Sequence, residues 1–109
     1  MKIRFLYSED CPSHDEALRR LRDVLDEEHV VADVEVVRVD TFEDAERERY
    51  PGSPTIMIEE SDICPLPNAR YAPACRAYVL EDGRISPLPS ASMIRKAIRA
   101  AKENLKNTL

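Results

Sequence analysis

The chain has 109 residues, of which 43% are hydrophobic and 34% are charged, and its formal net charge is −5. This balance is typical of a globular protein with a hydrophobic core, and residues 1–109 are predicted to form a single domain. The basic residues are scattered along an acidic chain, which argues against a nucleic-acid partner, because phosphate binding needs clustered positive charge. No stretch is apolar enough to span a bilayer, so no membrane partner is expected.

The beginning of the chain predicts where the protein works. Lys2 and Arg4 interrupt the first apolar segment, and no small-residue cleavage site follows it, so this segment does not have the pattern of a signal peptide. We therefore expect a cytoplasmic protein. In that compartment its three cysteines are expected to be reduced, catalytic or buried rather than paired in a structural disulfide.

The first half of the chain alternates strand and helix patterns. Lys2–Tyr7 and the β-branched segment Asp33–Val39 predict two strands. Between them, a helical apolar face from Pro12 to about Glu28 predicts an amphipathic helix. Thr41, with an acidic residue three positions later, predicts the start of a short helix over about Phe42 to Tyr50.

The second half predicts two more strands and a final helix. Thr55–Glu59 is a third strand, the proline-containing segment Ser61–Pro73 is a loop, and Ala74–Leu80 is a fourth strand. Ser90 or Ser92 can cap the last helix. The element order β-α-β-α-β-β-α predicts an α/β fold with a mixed four-stranded sheet flanked by helices, in which the first strand–helix–strand unit gives a parallel pair.

Cys11 stands between the first strand and the first helix. A helix N-terminus offers unpaired N–H groups and the positive end of the macrodipole, and both favour a thiolate over a thiol. Pro12 suits the first helical position, and His14 lies one turn along the same helix side, where it can pair with the sulfur. Nearby carboxylates have the opposite effect, because their negative charge favours the Cys11 thiol over the thiolate. Cys11 is either a reactive thiol or only a small residue that caps the helix.

The element order, the cysteine at the start of the first helix and the sequence Ser53-Pro54-Thr55 before the third strand resemble the thioredoxin superfamily over nearly the whole chain. The resemblance implies that Cys11 is a nucleophile, that Pro54 is a cis-proline beside it, and that His14 replaces the resolving cysteine. A cis-Pro54 would leave the backbone N–H and C=O of Ser53 free to pair with an extended peptide or a small thiol.

A second, narrower similarity involves a small bacterial group described as alkylmercury-lyase-like. Its features here are Gly52–Ile56, Asp62 and Cys75–Tyr78. This similarity, together with the i, i+3 spacing of Cys11 and His14, leaves open an alternative function in handling a soft metal or an organomercurial through Cys11 and His14, with Cys75 as a further candidate ligand. Two ligands three residues apart are fewer than the four that a stable zinc site needs, so we predict neither a metal site nor another cofactor.

Cys64 and Cys75 leave three alternatives open. They can pair with each other and close a loop with ten residues between them. Either can resolve a disulfide formed at Cys11. The third alternative places Cys75 in the buried fourth strand and Cys64 in an exposed loop, and a cytoplasmic location favours it.

The function expected from these features is that of a monothiol oxidoreductase of thioredoxin or glutaredoxin type. Cys11 would attack a protein or small-molecule disulfide, His14 would tune the thiol, and Ser53, Pro54 and Thr55 would position the substrate. A redox-inactive binding module with the same fold, holding a peptide beside Pro54, is the other main alternative.

Overall fold

Within residues 1–107, which the computed structural model describes, the chain forms three helices and six strands. In chain order these are β1 (Lys2–Tyr7), α1 (His14–Glu27), β2 (Asp33–Arg38), α2 (Phe42–Glu48), β3 (Thr55–Ile58), β4 (Ser61–Asp62), β5 (Tyr78–Val79), β6 (Ile85–Ser86) and α3 (Ala91–Asn107). The predicted α/β class is confirmed, and most of the predicted bounds agree to within two residues.

The main sheet has four strands in the order β2-β1-β3-β4. β1 pairs with β2 in parallel and with β3 antiparallel, which confirms the predicted mixed sheet. The edge strand differs from the prediction, because it is β4, from within the segment Ser61–Pro73 that was predicted to be loop. Glu59 and Glu60 both have positive φ, 50° and 69°, and this two-residue turn reverses the chain directly into β4.

The predicted fourth strand, Ala74–Leu80, is wrong as a member of this sheet. Only its residues in β5 are in a strand, and they pair with β6 in a separate two-stranded sheet. Cys75 instead forms an isolated parallel bridge with Ser53. The segment is therefore divided between a bridge to Ser53 and a separate hairpin, and it does not form an edge of the main sheet.

The two faces of the main sheet are covered by different helices. On β1, Ile3 and Phe5 point into one cluster of buried side chains, while Leu6 points into another on the opposite face, as the alternation of a strand requires. The larger cluster packs against α1 and α3, and the smaller one contains Ala45 of α2 and Tyr50.

The start of α1 differs from the prediction. The helix begins at His14 with Ser13 as its N-cap, and the Ser13 side chain makes no capping hydrogen bond. Cys11 therefore precedes the N-cap by two residues, and the alternative that it is itself the cap is wrong. Pro12 lies outside the helix, because a turn precedes the helix. This turn is closed by a hydrogen bond of 3.1 Å from Cys11 N–H to Ser8 O.

The residues that precede α3 and α1, Ser90 and Ser13, differ in their capping hydrogen bonds, and mutation can test this difference. Ser90 accepts a hydrogen bond from Met93 N–H at 3.1 Å and donates one to Glu81 at 2.6 Å, so Ser90→Ala should cost about 1 kcal/mol of stability. Ser13→Ala removes no capping bond and should change stability by less than about 0.5 kcal/mol. Urea denaturation of the two variants measures the difference, and equal losses would contradict it.

Candidate functional site

The candidate site centres on a disulfide between Cys11 and Cys75, which are 64 residues apart in sequence and have a Cα–Cα distance of 5.9 Å. This distance lies within the usual range for disulfides. Of the alternatives left open by the sequence, the pairing of Cys75 with Cys64 and the burial of Cys75 in a strand are both wrong. Cys64 is a free, partly buried thiol. Cys75 is exposed, whereas Cys11 is only 2% exposed.

Ser8, at the end of β1, fixes the loop that carries Cys11. Its carbonyl accepts from Cys11 N–H, and its own N–H donates to Ser53 Oγ at 3.0 Å. The Ser8 hydroxyl donates to Val39 O at 2.9 Å, so the Tyr50 hydroxyl at 2.8 Å is the donor to it. Burial raises the pKa of Tyr50, which keeps that donor protonated. Sequence reasoning missed Ser8, whose only signal is a small polar residue ending an apolar strand.

The segment before β3 contains the predicted proline. The Ser53–Pro54 peptide bond is cis, as the resemblance implies. Ser53 N–H donates to Ala74 O at 2.7 Å, and Ser53 O accepts from Arg76 N–H at 3.1 Å. The expectation that these two backbone groups are free for a substrate is therefore wrong. The chain's own segment, residues 74–76, occupies them and thereby places Cys75 opposite Cys11.

Arg76 anchors that segment beneath the surface. Its side chain is 2% exposed and forms an ion pair with Asp62 at 2.9 Å. The guanidinium also donates to Thr55 Oγ1 at 3.1 Å and to Cys64 O at 2.8 Å, and it lies 4.4 Å from the centroid of the Tyr78 ring. An isolated buried charge would be costly, so this set of partners explains how the arginine is tolerated.

Two further contacts hold residues 74–78 close to the segment that contains cis-Pro54. The Tyr78 hydroxyl donates to Pro54 O, and burial raises the pKa of Tyr78, so it remains a donor. Gly52 has φ of 144°, and a Cβ at this position would lie 2.7 Å from the Cβ of Arg76. Thr55 is fully buried and donates to Gly52 O at 2.6 Å. Thr55, predicted to bind substrate, thus lies behind the site rather than on its surface.

His14 contacts Cys11 through the backbone. Its Nδ1–H donates to Cys11 O at 2.7 Å, its ring stacks on Tyr7 with centroids 4.5 Å apart, and Nε2 lies 3.3 Å from an Asp15 carboxylate oxygen. The imidazole therefore holds the turn that carries Cys11 in place. These contacts do not pair the ring with the sulfur, which is the contact that the sequence predicts.

Two of the acidic residues near Cys11, Glu9 and Glu16, pair with arginines that reduce their effect on the sulfur. Glu9 pairs with Arg38 at 2.7 Å, and Glu16 pairs with Arg20 at 3.3 Å. Asp40, by hydrogen bonding, and Glu9 both help to raise the pKa of Arg38. Arg38 is shared between Glu9 and Asp40, so these carboxylates are only partly neutralised, but they are exposed to water, which screens their effect on Cys11.

Comparisons with protein-family models, with curated proteins and with solved structures give no match for this chain. The resemblance to thioredoxins therefore remains an expectation from the sequence motifs. Across residues 1–107, no helix has the length and apolar character needed to cross a membrane. In the same described part, no three His, Cys, Asp or Glu side chains are grouped so that they could hold a metal ion.

Proposed function

We propose that the protein is a thiol–disulfide oxidoreductase with a thioredoxin-like fold, whose redox couple is Cys11 and Cys75. The observation that supports this most directly is the disulfide between the sequence-predicted cysteine and a second cysteine bridged to Ser53, the residue before cis-Pro54. A structural disulfide would be expected to have two buried sulfurs or to close a small, loop-rich domain. Here one cysteine is exposed, which suits exchange with a partner.

A dithiol couple replaces the monothiol mechanism that the sequence predicts. Exchange begins when a thiolate attacks one sulfur of a disulfide and releases the other, and a second thiol must then resolve the mixed disulfide. His14 cannot provide that second sulfur, but Cys75 can. The α1 N-terminus follows Cys11 closely and has no side-chain cap, so its backbone N–H groups favour the Cys11 thiolate in the reduced protein.

The proposal includes a cytoplasmic setting and a positioning role for His14. In the cytoplasm, disulfides are usually transient and catalytic, because thiol buffers reduce them. His14 would keep the Cys11 turn in place while the sulfur alternates between disulfide and thiolate. The two alternatives are less well supported: a peptide-binding module would need the Ser53 backbone that residues 74–76 occupy, and a soft-metal site would need sulfurs that are bonded to each other.

The test is dithiothreitol-dependent reduction of bis(2-hydroxyethyl) disulfide, with the uncatalysed rate subtracted. Cys64→Ser is the matched control and should keep the activity, because Cys64 is outside the couple. Cys11→Ser and Cys75→Ser should each lower the rate by about tenfold or more, since either change removes one sulfur of the couple. Full activity in both single variants would overturn the proposal.

A further inference from the structure

We infer that Cys75, rather than Cys11, is the sulfur that exchanges with the external partner, and that this partner is a low-molecular-weight thiol or disulfide. The inference rests on the proposed function and reverses the roles that the sequence predicts for the two cysteines. Cys11 then acts as the internal sulfur that is released and later closes the disulfide again.

The exposure of the two cysteine residues supports this order. A thiolate must approach the sulfur that it attacks from the side opposite the S–S bond, so reaction favours the sulfur that solvent can reach. Cys75 is exposed, and its neighbours Ala74 and Ala77 are exposed residues with only methyl side chains. Cys11 is 2% exposed, in a turn held by Ser8.

The chemistry of the leaving group points in the same direction. Attack on Cys75 releases Cys11 as a thiolate, and a disulfide is cleaved faster when its leaving thiolate is the better stabilised one. Cys11 lies just before the uncapped N-terminus of α1, where N–H groups and the macrodipole favour negative charge. Attack on Cys11 would instead release a thiolate from Cys75, which is outside any helix.

The class of partner follows from the hydrogen bonds that Ser53 N–H and C=O already make with residues 74–76. An extended peptide could pair there only by displacing residues 74–76, which are held by two hydrogen bonds and by the buried Arg76 side chain. A small thiol needs no such pairing. It can reach Cys75 from solvent while the segment stays in place.

The reaction balances as follows. A partner thiolate RS⁻ attacks Cys75, forms the mixed disulfide RS–S–Cys75 and releases Cys11 as a thiolate. A second RS⁻ attacks the partner sulfur of that mixed disulfide, which forms RSSR and releases Cys75 as a thiolate. Two thiols are thereby oxidised to one disulfide, and the protein disulfide gains two electrons and becomes the dithiol. Reduction of a small disulfide is the reverse sequence, with Cys75 attacking first.

The first experiment traps the mixed disulfide in oxidised Cys64→Ser protein. The protein is exposed briefly to 2-mercaptoethanol and quenched in acid, its free thiols are blocked with N-ethylmaleimide, and its peptides are mapped by mass spectrometry. We expect the mercaptoethanol adduct on Cys75 to exceed that on Cys11 by about tenfold or more. Equal adducts, or an excess on Cys11, would overturn the inference while leaving Cys11–Cys75 as the redox couple.

A second measurement uses the two proteins that keep a single thiol of the couple in the Cys64→Ser background. After circular dichroism shows that both are folded, each reacts with bis(2-hydroxyethyl) disulfide, and the protein that retains Cys75 should react about tenfold faster. A cysteine-containing decapeptide that reduces oxidised Cys64→Ser protein faster than 2-mercaptoethanol would overturn the assigned partner class. A disulfide that neither 2-mercaptoethanol nor dithiothreitol can reduce would overturn the proposed function itself, and the inference with it.

Discussion

Replacing Arg76 with methionine is expected to lower the free energy of unfolding by about 3–5 kcal/mol, as for the removal of one partner from a buried ion pair. Methionine keeps an unbranched apolar stem but removes the charge. The change would leave Asp62, whose side chain is only 14% exposed, without its cation, and would remove the donors to Thr55 Oγ1 and Cys64 O. Urea denaturation of the oxidised protein measures the loss.

The matched control is Arg84→Met, which breaks the ion pair with Asp82. That pair has a similar short distance, 2.6 Å, but its side chains are 76% and 54% exposed, so its loss should cost at most about 1 kcal/mol. Adding Asp62→Leu to Arg76→Met should recover part of the stability, because it removes the unpaired carboxylate. Equal losses for the two arginine variants would contradict the anchoring role assigned to Arg76.

The parts of the fold that were predicted from sequence are those specified by local pattern. The helical apolar face of α1 and the β-branched run of β2 each carry their signal within the element itself. The β3–β4 turn was missed because its two residues with positive φ are Glu59 and Glu60. A turn of this kind is usually recognised in a sequence by glycine or asparagine, and neither is present here. The segment 74–76 was misassigned because its pairing with Ser53 is non-local, and strand propensity does not specify a partner.

The same distinction applies to the site. Cys11 was predicted because it stands at the junction of a strand and a helix, where the sequence gives a local signal, and Pro54 because the sequence before the third strand resembles that of thioredoxins. The partner of Cys11 was left among several alternatives, because cysteine connectivity cannot be deduced from sequence spacing. Arg76 and Ser8 were missed as supports of the site, since their importance comes from burial and from partners distant in sequence.

These missed residues explain how the short segment 74–76 holds Cys75 opposite Cys11. Residues 74–76 belong to neither sheet, so they lack the repeated backbone bonds of a strand ladder. Their position depends on two bonds to Ser53, on the Arg76 side chain below, and on the close approach of Gly52. A change at the closest of these contacts should therefore affect both stability and the order of the segment.

Gly52→Ala should destabilise the oxidised protein by about 2–6 kcal/mol. Alanine at φ of 144° is strained, which costs about 1–3 kcal/mol, and its Cβ would lie 2.7 Å from Arg76 Cβ and 3.1 Å from Ala74 O. Relieving that overlap should cost about 1–3 kcal/mol more, since backbone atoms must shift. The shift would lengthen the two bonds to Ser53, so amide hydrogen exchange at Ser53 and Arg76 should accelerate.

Gly83→Ala separates the two causes, because Gly83 also has positive φ, 86°, but a Cβ there would have no atom within 4 Å. This control should show only the backbone cost, about 1–3 kcal/mol, and should leave exchange at the Ser53 and Arg76 amides unchanged. Urea denaturation and hydrogen exchange of both variants complete the comparison. If the two alanine variants lost equal stability and had equal exchange rates, the packing of Gly52 against Arg76 would not be what holds Cys75 opposite Cys11.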